Sequence, residues 1–230
     1  MNQLSGLVLQ AMFNMSRLQF MYLGSNNLSG TILSNQSTSL PLLKEFSLYD
    51  NKFSGQFPMG LASCQYLQVL SLAVNYFVDV VPSWLPKLSH LRQLFLGFNN
   101  FIGSIPASLS NLTSLNTLEL AYGNLTGEIP PELSLMSELS HIYLEINQLT
   151  SKIPASLGNL SKLSYLALQY NQMSGQVPTT LGNSEALYWL DLRVNNLQGN
   201  LDFLSSLSKC RLSKSWRYRL IISQASSLAI

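Results

Sequence analysis

Two histidines and two cysteines are the side chains of this sequence best suited to bind a metal ion or to act as nucleophiles. His90 and His141 lie far apart, as do Cys64 and Cys210, so none of them forms a spacing typical of a zinc or redox site. The sequence also contains no phosphate-binding Gly-x-x-x-x-Gly-Lys loop, no Gly-x-Ser-x-Gly elbow and no kinase His-Arg-Asp motif. We therefore predict no catalytic residue, no metal and no cofactor. Cys64 is expected to be a buried thiol, and His90 an exposed turn residue.

A binding surface is indicated instead by aromatic residues that recur at a fixed interval. His141, Tyr165 and Trp189 follow one another in equal steps along the chain. Aromatic side chains accompanied by charges of both signs are typical of binding hot spots. We name the candidate ligand-binding residues the aromatic patch; they are His141, Tyr143, Glu145, Tyr165, Gln169, Trp189, Asp191 and Arg193, with Ala167 lying among them.

The aromatic patch belongs to a repeat of the same period that runs through most of the chain. Leucine-like residues precede each repeated asparagine by eight, five and three positions, as Leu163, Leu166 and Leu168 precede Asn171. This spacing predicts a short strand with alternate side chains in the core. Gly123 replaces one asparagine, and only the step from Asn26 to Asn51 is longer than the others; the column is Asn2, Asn26, Asn51, Asn75, Asn99, Gly123, Asn147, Asn171 and Asn195. We number the repeats one to eight from Asn26 to Asn195.

The side chains six, four and two positions before each asparagine point away from the core. Neighbouring parallel strands lie about 4.8 Å apart, so repeats six to eight should bring the aromatic patch together on one face. The alternative is that these rings only stack across strands and stabilise the fold. A second, weaker patch is predicted near the beginning of the chain, from Phe20, Tyr22, Glu45 and Tyr49.

The repeated asparagines are predicted to form a hydrogen-bonded ladder. An asparagine side chain offers an acceptor and a donor group to backbone groups that a sharp turn leaves inside the protein. Gly123 has no such side chain, so we expect a gap there, filled by water or compensated by Asn124. The predicted ladder residues are Asn26, Asn51, Asn75, Asn99, Asn147, Asn171 and Asn195.

The full repeat, Leu-x-x-Leu-x-Leu-x-x-Asn-x-Leu-Ser-Gly-x-Ile-Pro, resembles the plant-specific class of leucine-rich repeat. Segments such as Gly127-Glu-Ile-Pro-Pro-Glu-Leu133 and Lys152-Ile-Pro-Ala-Ser-Leu-Gly-Asn-Leu160 are similar to the ectodomains of plant leucine-rich-repeat receptor-like kinases, especially the immune-type subfamily that includes grass bacterial-blight resistance receptors. The resemblance implies an α/β-type solenoid: a right-handed superhelix with a parallel β-sheet on its concave face and a second short strand near Ser-Gly-x-Ile-Pro.

Some units depart from this pattern and should distort the solenoid locally. Thr31-Ile-Leu33 lacks the proline, and Leu201-Asp202 stands where Ile-Pro is usual. Asp79 and Ser151 occupy positions where most repeats have glycine. Since glycine permits a tight backbone there, another residue should interrupt the regular stacking.

Residues 1–208 are predicted to form the solenoid, and residues 209–230 a degenerate, basic C-terminal tail. The chain has thirteen basic and eleven acidic residues, and five of the basic ones lie in the tail, so residues 1–208 carry a net charge of −3. Such a small basic region does not predict nucleic-acid binding. Neither a signal peptide nor an apolar run long enough to span a membrane is recognisable, and the cysteine-rich cap implied by the resemblance is missing before the repeats.

Asn-x-Ser/Thr sequons suggest an extracellular, glycosylated protein. All lie outside the outward strand positions, so glycans would leave the concave face bare. The predicted glycosylation sites are Asn14, Asn27, Asn35, Asn111, Asn124 and Asn159.

The resemblance implies a module that recognises an extracellular peptide or protein at the outer face of the plasma membrane, in defence or developmental signalling. It also implies a co-receptor kinase as a second partner, with any kinase activity outside this chain. Two alternatives stay open: a truncated product that does not signal, and a soluble inhibitor of cell-wall-degrading enzymes.

Overall fold

In the computed structural model, which describes residues 2–8, 10–32, 40–208 and 210, each repeat contributes one three-residue strand to an eight-stranded parallel sheet. The strands follow one another in chain order, and equivalent residues of neighbouring repeats are paired, as Leu118 is with Ile142. The strands are Phe20–Tyr22, Glu45–Ser47, Val69–Ser71, Gln93–Phe95, Thr117–Glu119, His141–Tyr143, Tyr165–Ala167 and Trp189–Asp191.

The core is a continuous stack of the leucine-like residues that the repeat places inside. Leu163, Leu166 and Leu168 of repeat seven are fully buried, and their equivalents in the neighbouring repeats are buried as well. A single repeat has no second layer with which to cover its own leucines, so burial requires the next repeat. Stacking therefore confirms the predicted solenoid and holds the concave sheet in register.

A second row of short parallel strands follows the asparagine of each repeat, as the resemblance implies. These strands form three smaller sheets and not one. The first contains Ser5–Leu7, Asn27–Thr31, Lys52–Gly55 and Tyr76–Phe77; the second Ile102–Ser104, Asn124–Gly127 and Gln148–Leu149; the third Ser174–Gly175 and Asn196–Leu197.

The two interruptions of this row coincide with Asp79 and Ser151. Glycines at equivalent positions adopt a left-handed backbone, as Gly103 does at φ 76° and Gly127 at φ 77°. Ser151 is held at φ 68°, a conformation that costs free energy for a residue with a Cβ atom. The Asp79 carboxylate instead accepts hydrogen bonds from backbone N–H groups, including that of Phe57 at 3.0 Å. The predicted local distortion is confirmed at both positions.

Short 3-10 helices close the repeats on the side opposite the concave sheet. Most begin directly after a proline, whose fixed φ suits the start of a helical turn. After Leu201 the chain instead forms an α-helix, Asp202–Leu207, which ends the described solenoid together with the buried Cys210. The predicted tail otherwise lies outside the described residues. The 3-10 helices are Gln10–Asn14, Met59–Ser63, Leu85–Lys87, Ala107–Asn111, Pro131–Leu135, Ala155–Asn159 and Thr179–Asn183.

Asn171 shows the hydrogen bonds that the repeated asparagines form. Its Oδ1 accepts the backbone N–H of Leu149 in the preceding repeat at 3.0 Å. Its Nδ2 donates to the carbonyls of Leu144 at 2.9 Å and Leu168 at 3.1 Å. Each rung thus ties two repeats together through backbone groups that would otherwise be buried without partners.

Gly123 interrupts the ladder, as the sequence predicts. In the regular ladder, an asparagine side chain at position 123 would accept a hydrogen bond from the backbone N–H of Phe101. Glycine has no side chain to accept this bond. The side chain of Asn124 is exposed on the second row of strands, and only its backbone N–H bonds to Phe101, at 2.9 Å to the carbonyl oxygen. The predicted compensation by Asn124 is therefore wrong, because this side chain points outward from its strand.

Candidate functional site

The aromatic patch is assembled on the concave face by three neighbouring strands. Register pairing places His141 beside Tyr165 and Tyr165 beside Trp189. The ring centroids of Tyr165 and Trp189 lie 5.3 Å apart with nearly parallel planes, and those of Tyr143 and Tyr165 lie 4.6 Å apart. Sequence analysis missed Tyr188, which packs edge-on against Tyr165 at 6.3 Å. The residues named from the repeat therefore form one continuous aromatic surface.

These rings are half-buried because they lie against one another. Burial raises the pKa of the Tyr165 hydroxyl to about 12, with smaller contributions from Tyr143 and nearby acids. Such cross-strand contacts stabilise a sheet in their own right. The cluster is thus preorganised by contacts between its own rings.

Asp191 and Arg193 form an ion pair inside the aromatic patch. Arg193 Nη2 lies 2.6 Å from Asp191 Oδ2, and its Nε lies 2.9 Å from Oδ1. Asp191 is fully buried, whereas Arg193 is partly exposed. Asp191 therefore contributes to the surface by fixing the guanidinium, and its own carboxylate does not face solvent.

Three polar atoms of the aromatic patch are buried without a hydrogen-bond partner. They are Glu145 Oε2, Gln169 Oε1 and Trp189 Nε1. Buried polar groups are almost always paired, because an unmade hydrogen bond costs free energy. Each of the three atoms could form a hydrogen bond with a ligand on the concave surface.

A solvent-open trough of about 560 Å³ extends the concave surface toward the beginning of the chain. Its floor consists largely of small side chains, its edge carries the exposed Phe98, and two glutamates stand at its far end. The sequence indicated only its two ends, through the weaker patch at one and Glu145 at the other, and the part between them was not predicted. The trough is lined by Tyr22, Ser47, Tyr49, Val69, Ser71, Ala73, Val74, Phe95, Phe98, Glu119, Ala121 and Glu145.

Glu119 is held in the trough by its neighbours' backbone. Its Oε2 accepts the N–H of Gly97 at 2.9 Å, and its Oε1 that of Ala121 at 3.2 Å. A Cβ atom at position 97 would lie 1.8 Å from Glu119 Oε1, so only glycine leaves room for the carboxylate. Burial raises the pKa of Glu119 to about 7; the two backbone donors oppose the shift, and the charge of Glu145 adds to it.

The weaker patch near the beginning of the chain is also brought together in part. Tyr22 donates a hydrogen bond from its hydroxyl to the Glu45 carboxylate, and its ring stacks on that of Phe20 at 6.5 Å. Tyr22 and Tyr49 line the trough. This patch is therefore one end of the trough and not a separate site.

The residues with the potential for catalysis have the surroundings that the sequence predicts. Cys64 is buried, and burial raises the pKa of its thiol to about 11, which keeps the thiol protonated and unreactive. His90 is exposed in a turn. Within the described ranges, no three His, Cys, Asp or Glu side chains are grouped so that they could hold a metal ion.

The described sequon asparagines all lie at the surface, away from the concave sheet. Asn35 lies outside the described residues. Exposed positions are Asn14, Asn27, Asn111, Asn124 and Asn159.

The equivalent repeats form a curved stack, with an asparagine ladder inside and a variable parallel sheet on one face. This arrangement defines a leucine-rich-repeat solenoid, a non-catalytic type of fold. The chain belongs to the leucine-rich repeat family: the model of a leucine-rich repeat region matches residues 43–214. A search of curated proteins gives no match.

Solved structures of plant receptors resemble the chain closely. A TDR receptor superposes with a TM-score of 0.89 and is 28% identical over 96% of this chain and 37% of that chain. The Arabidopsis receptor kinase HAESA, in complex with the peptide hormone IDA and the co-receptor SERK1, gives a TM-score of 0.81 and 31% identity over 87% of this chain and 33% of that chain.

A third structure is the ectodomain of the Arabidopsis thaliana receptor kinase GASSHO1/SCHENGEN3 in complex with CASPARIAN STRIP INTEGRITY FACTOR 2. It gives a TM-score of 0.79 and 31% identity over 91% of this chain and 28% of that chain. The chain thus spans roughly a third of the length of the receptor structures it matches. Across the described residues, no helix is long and apolar enough to cross a membrane.

Proposed function

We propose that this chain is the ligand-binding part of a plant receptor-like kinase ectodomain and that it recognises an extracellular peptide or protein on its concave face. The observation that carries the proposal is the cluster of unpaired buried polar atoms among stacked aromatic rings on that face. Support comes from HAESA and GASSHO1/SCHENGEN3, whose structures contain a peptide hormone and an integrity factor.

The setting we propose is the outer face of the plasma membrane. Exposed sequons away from the concave sheet favour a glycosylated extracellular module. A co-receptor kinase is proposed as second partner, because HAESA is seen with SERK1. We propose a role in defence or developmental signalling; the repeat segments Gly127–Leu133 and Lys152–Leu160 resemble the immune-type subfamily.

Within the aromatic patch, each residue type has a distinct role in this proposal. Tyr143, Tyr165 and Trp189 provide rigid apolar area that loses little entropy on binding. The unpaired Nε1 of Trp189 donates to a ligand carbonyl. Arg193, oriented by Asp191, supplies charge that fixes the register of the ligand.

Replacing Trp189 with alanine is expected to weaken ligand binding by about 2 kcal/mol or more, because an aromatic anchor and a hydrogen-bond donor are lost together. The measurement is a calorimetric titration with a peptide or protein captured from plant apoplastic fluid or microbial culture filtrate. Gln93→Ala, an outward change at the equivalent position of repeat four, is the matched control and should bind normally.

Circular dichroism and thermal melting of each variant separate binding from packing. If the ligand binds equally to wild type and to a variant lacking Tyr143, Tyr165 and Trp189, the aromatic patch only stabilises the sheet. Binding to a purified cell-wall-degrading enzyme, with loss of that enzyme's activity, would favour the inhibitor alternative instead.

A further inference from the structure

The trough contains two carboxylates that have no cationic partner among the described residues. Glu119 ends one strand of the concave sheet, and Glu145 lies two residues after the end of the neighbouring strand, His141–Tyr143. Both acids line the trough, and the charge of Glu145 contributes to the raised pKa of Glu119. Both of the ion pairs seen in the described part of the chain lie elsewhere. Glu145 also belongs to the aromatic patch, but the contacts proposed for that patch give neither acid a role.

Their surroundings show that the acids are built into the trough. Glu119 is fixed by two backbone N–H groups and by the space that Gly97 leaves. Glu145 has a buried Oε2 that accepts no hydrogen bond. An ionised carboxylate that is partly desolvated and unpaired is costly, and a cation brought by a ligand removes that cost.

The shape of the trough fits an extended chain. From Tyr22 in repeat one to Glu145 in repeat six there are five strand spacings, or about 24 Å. An extended peptide rises about 3.3 Å per residue, so about seven residues span this length. Ser71, Ala73 and Ala121 on the floor are too small to obstruct a backbone.

We propose that the trough binds an extended peptide segment of about seven residues, whose arginine or lysine side chain is held between Glu119 and Glu145. The inference rests on the proposed function. It adds the class of ligand and places the peptide across the strands of the concave face, between repeat one and repeat six. Arginine suits the pair best, since its planar guanidinium donates to carboxylates in parallel hydrogen bonds. A calcium ion fits poorly, because two carboxylates supply at most about four of the roughly six to eight oxygen ligands that it takes.

The test is selection of random heptapeptides displayed on phage against the whole chain. Peptides that bind wild type should carry arginine or lysine at one fixed position with at least about fivefold enrichment. The same selection on the double variant Glu119→Gln/Glu145→Gln should lose this enrichment. The matched control is Glu138→Gln, an exposed acid paired with Lys162, which should retain it.

A second measurement uses one recovered peptide in two forms, with arginine or with its uncharged isostere citrulline. Wild type should bind the arginine form at least about tenfold more tightly, and the double variant should bind both forms alike. Equal binding of both forms by wild type, selection of binders without a basic position, or recovery of no binders would each overturn the inference.

The outcomes also separate this inference from the proposed function. One outcome is that selected peptides lack a basic residue, bind wild type and fail to bind the Trp189→Ala variant. This outcome would place ligand recognition on the aromatic patch and leave the proposed function standing. Binders with a basic residue that ignore Trp189→Ala would support the trough and contradict the role of the aromatic patch.

Discussion

Replacing Asn171 with alanine is expected to lower the free energy of unfolding by about 1 to 3 kcal/mol. The buried N–H of Leu149 would lose its acceptor, and leaving such a donor unpaired costs about 1 to 3 kcal/mol. The carbonyls of Leu144 and Leu168 would each lose one donor but keep another, from Asn147 and Asn195. Urea unfolding monitored by circular dichroism measures the difference.

Asn196→Ala is the matched control, because Asn196 is an exposed asparagine on the second row of strands. It should change stability little, and equal stability of Asn171→Ala and Asn196→Ala would contradict the ladder argument. Gly123→Asn is expected to have a small effect. It restores a rung, but the new Cβ atom would lie 2.9 Å from Asn147 Oδ1, so the neighbouring rung must shift.

The repeat made the fold predictable, because the same physical requirement recurs in every unit. Leu166 and Asn171 have equivalents in the units before and after them, so their roles follow from the column that they share. Even the interruptions at Asp79 and Ser151 follow from the need for a left-handed backbone at that column. The aromatic patch was predictable for the same reason, since alternation along a strand fixes which side chains point outward.

The trough was less predictable because it depends on pairs of residues from different repeats. Glu119 lies at an outward position, a signal available in the sequence, but the room for its carboxylate comes from Gly97 one repeat earlier. Such side-chain packing across strands has no periodic signature. The failure of Asn124 to compensate for Gly123 has a different origin. Its column is exposed in the neighbouring repeats as well, as at Asn100 and Gln148, because the second row of strands sets the direction of its side chain.

The free energy of unfolding is expected to fall by about 2 to 3 kcal/mol between pH 5 and pH 8 because of Glu119. Burial raises the pKa of this carboxyl from 4.5 to about 7, so between these values the folded state binds more protons than the unfolded state. The contribution of Glu119 to the free energy of unfolding is therefore greatest below pH 4.5 and is lost as the pH rises toward 7. Each unit by which the pKa differs between the folded and unfolded states corresponds to about 1.4 kcal/mol. Urea unfolding of wild type and Glu119→Gln at several pH values measures the difference, with Glu138→Gln, an exposed acid, as the control. The difference in stability between wild type and Glu119→Gln should change across this range, whereas a constant difference would mean that Glu119 ionises normally in the trough.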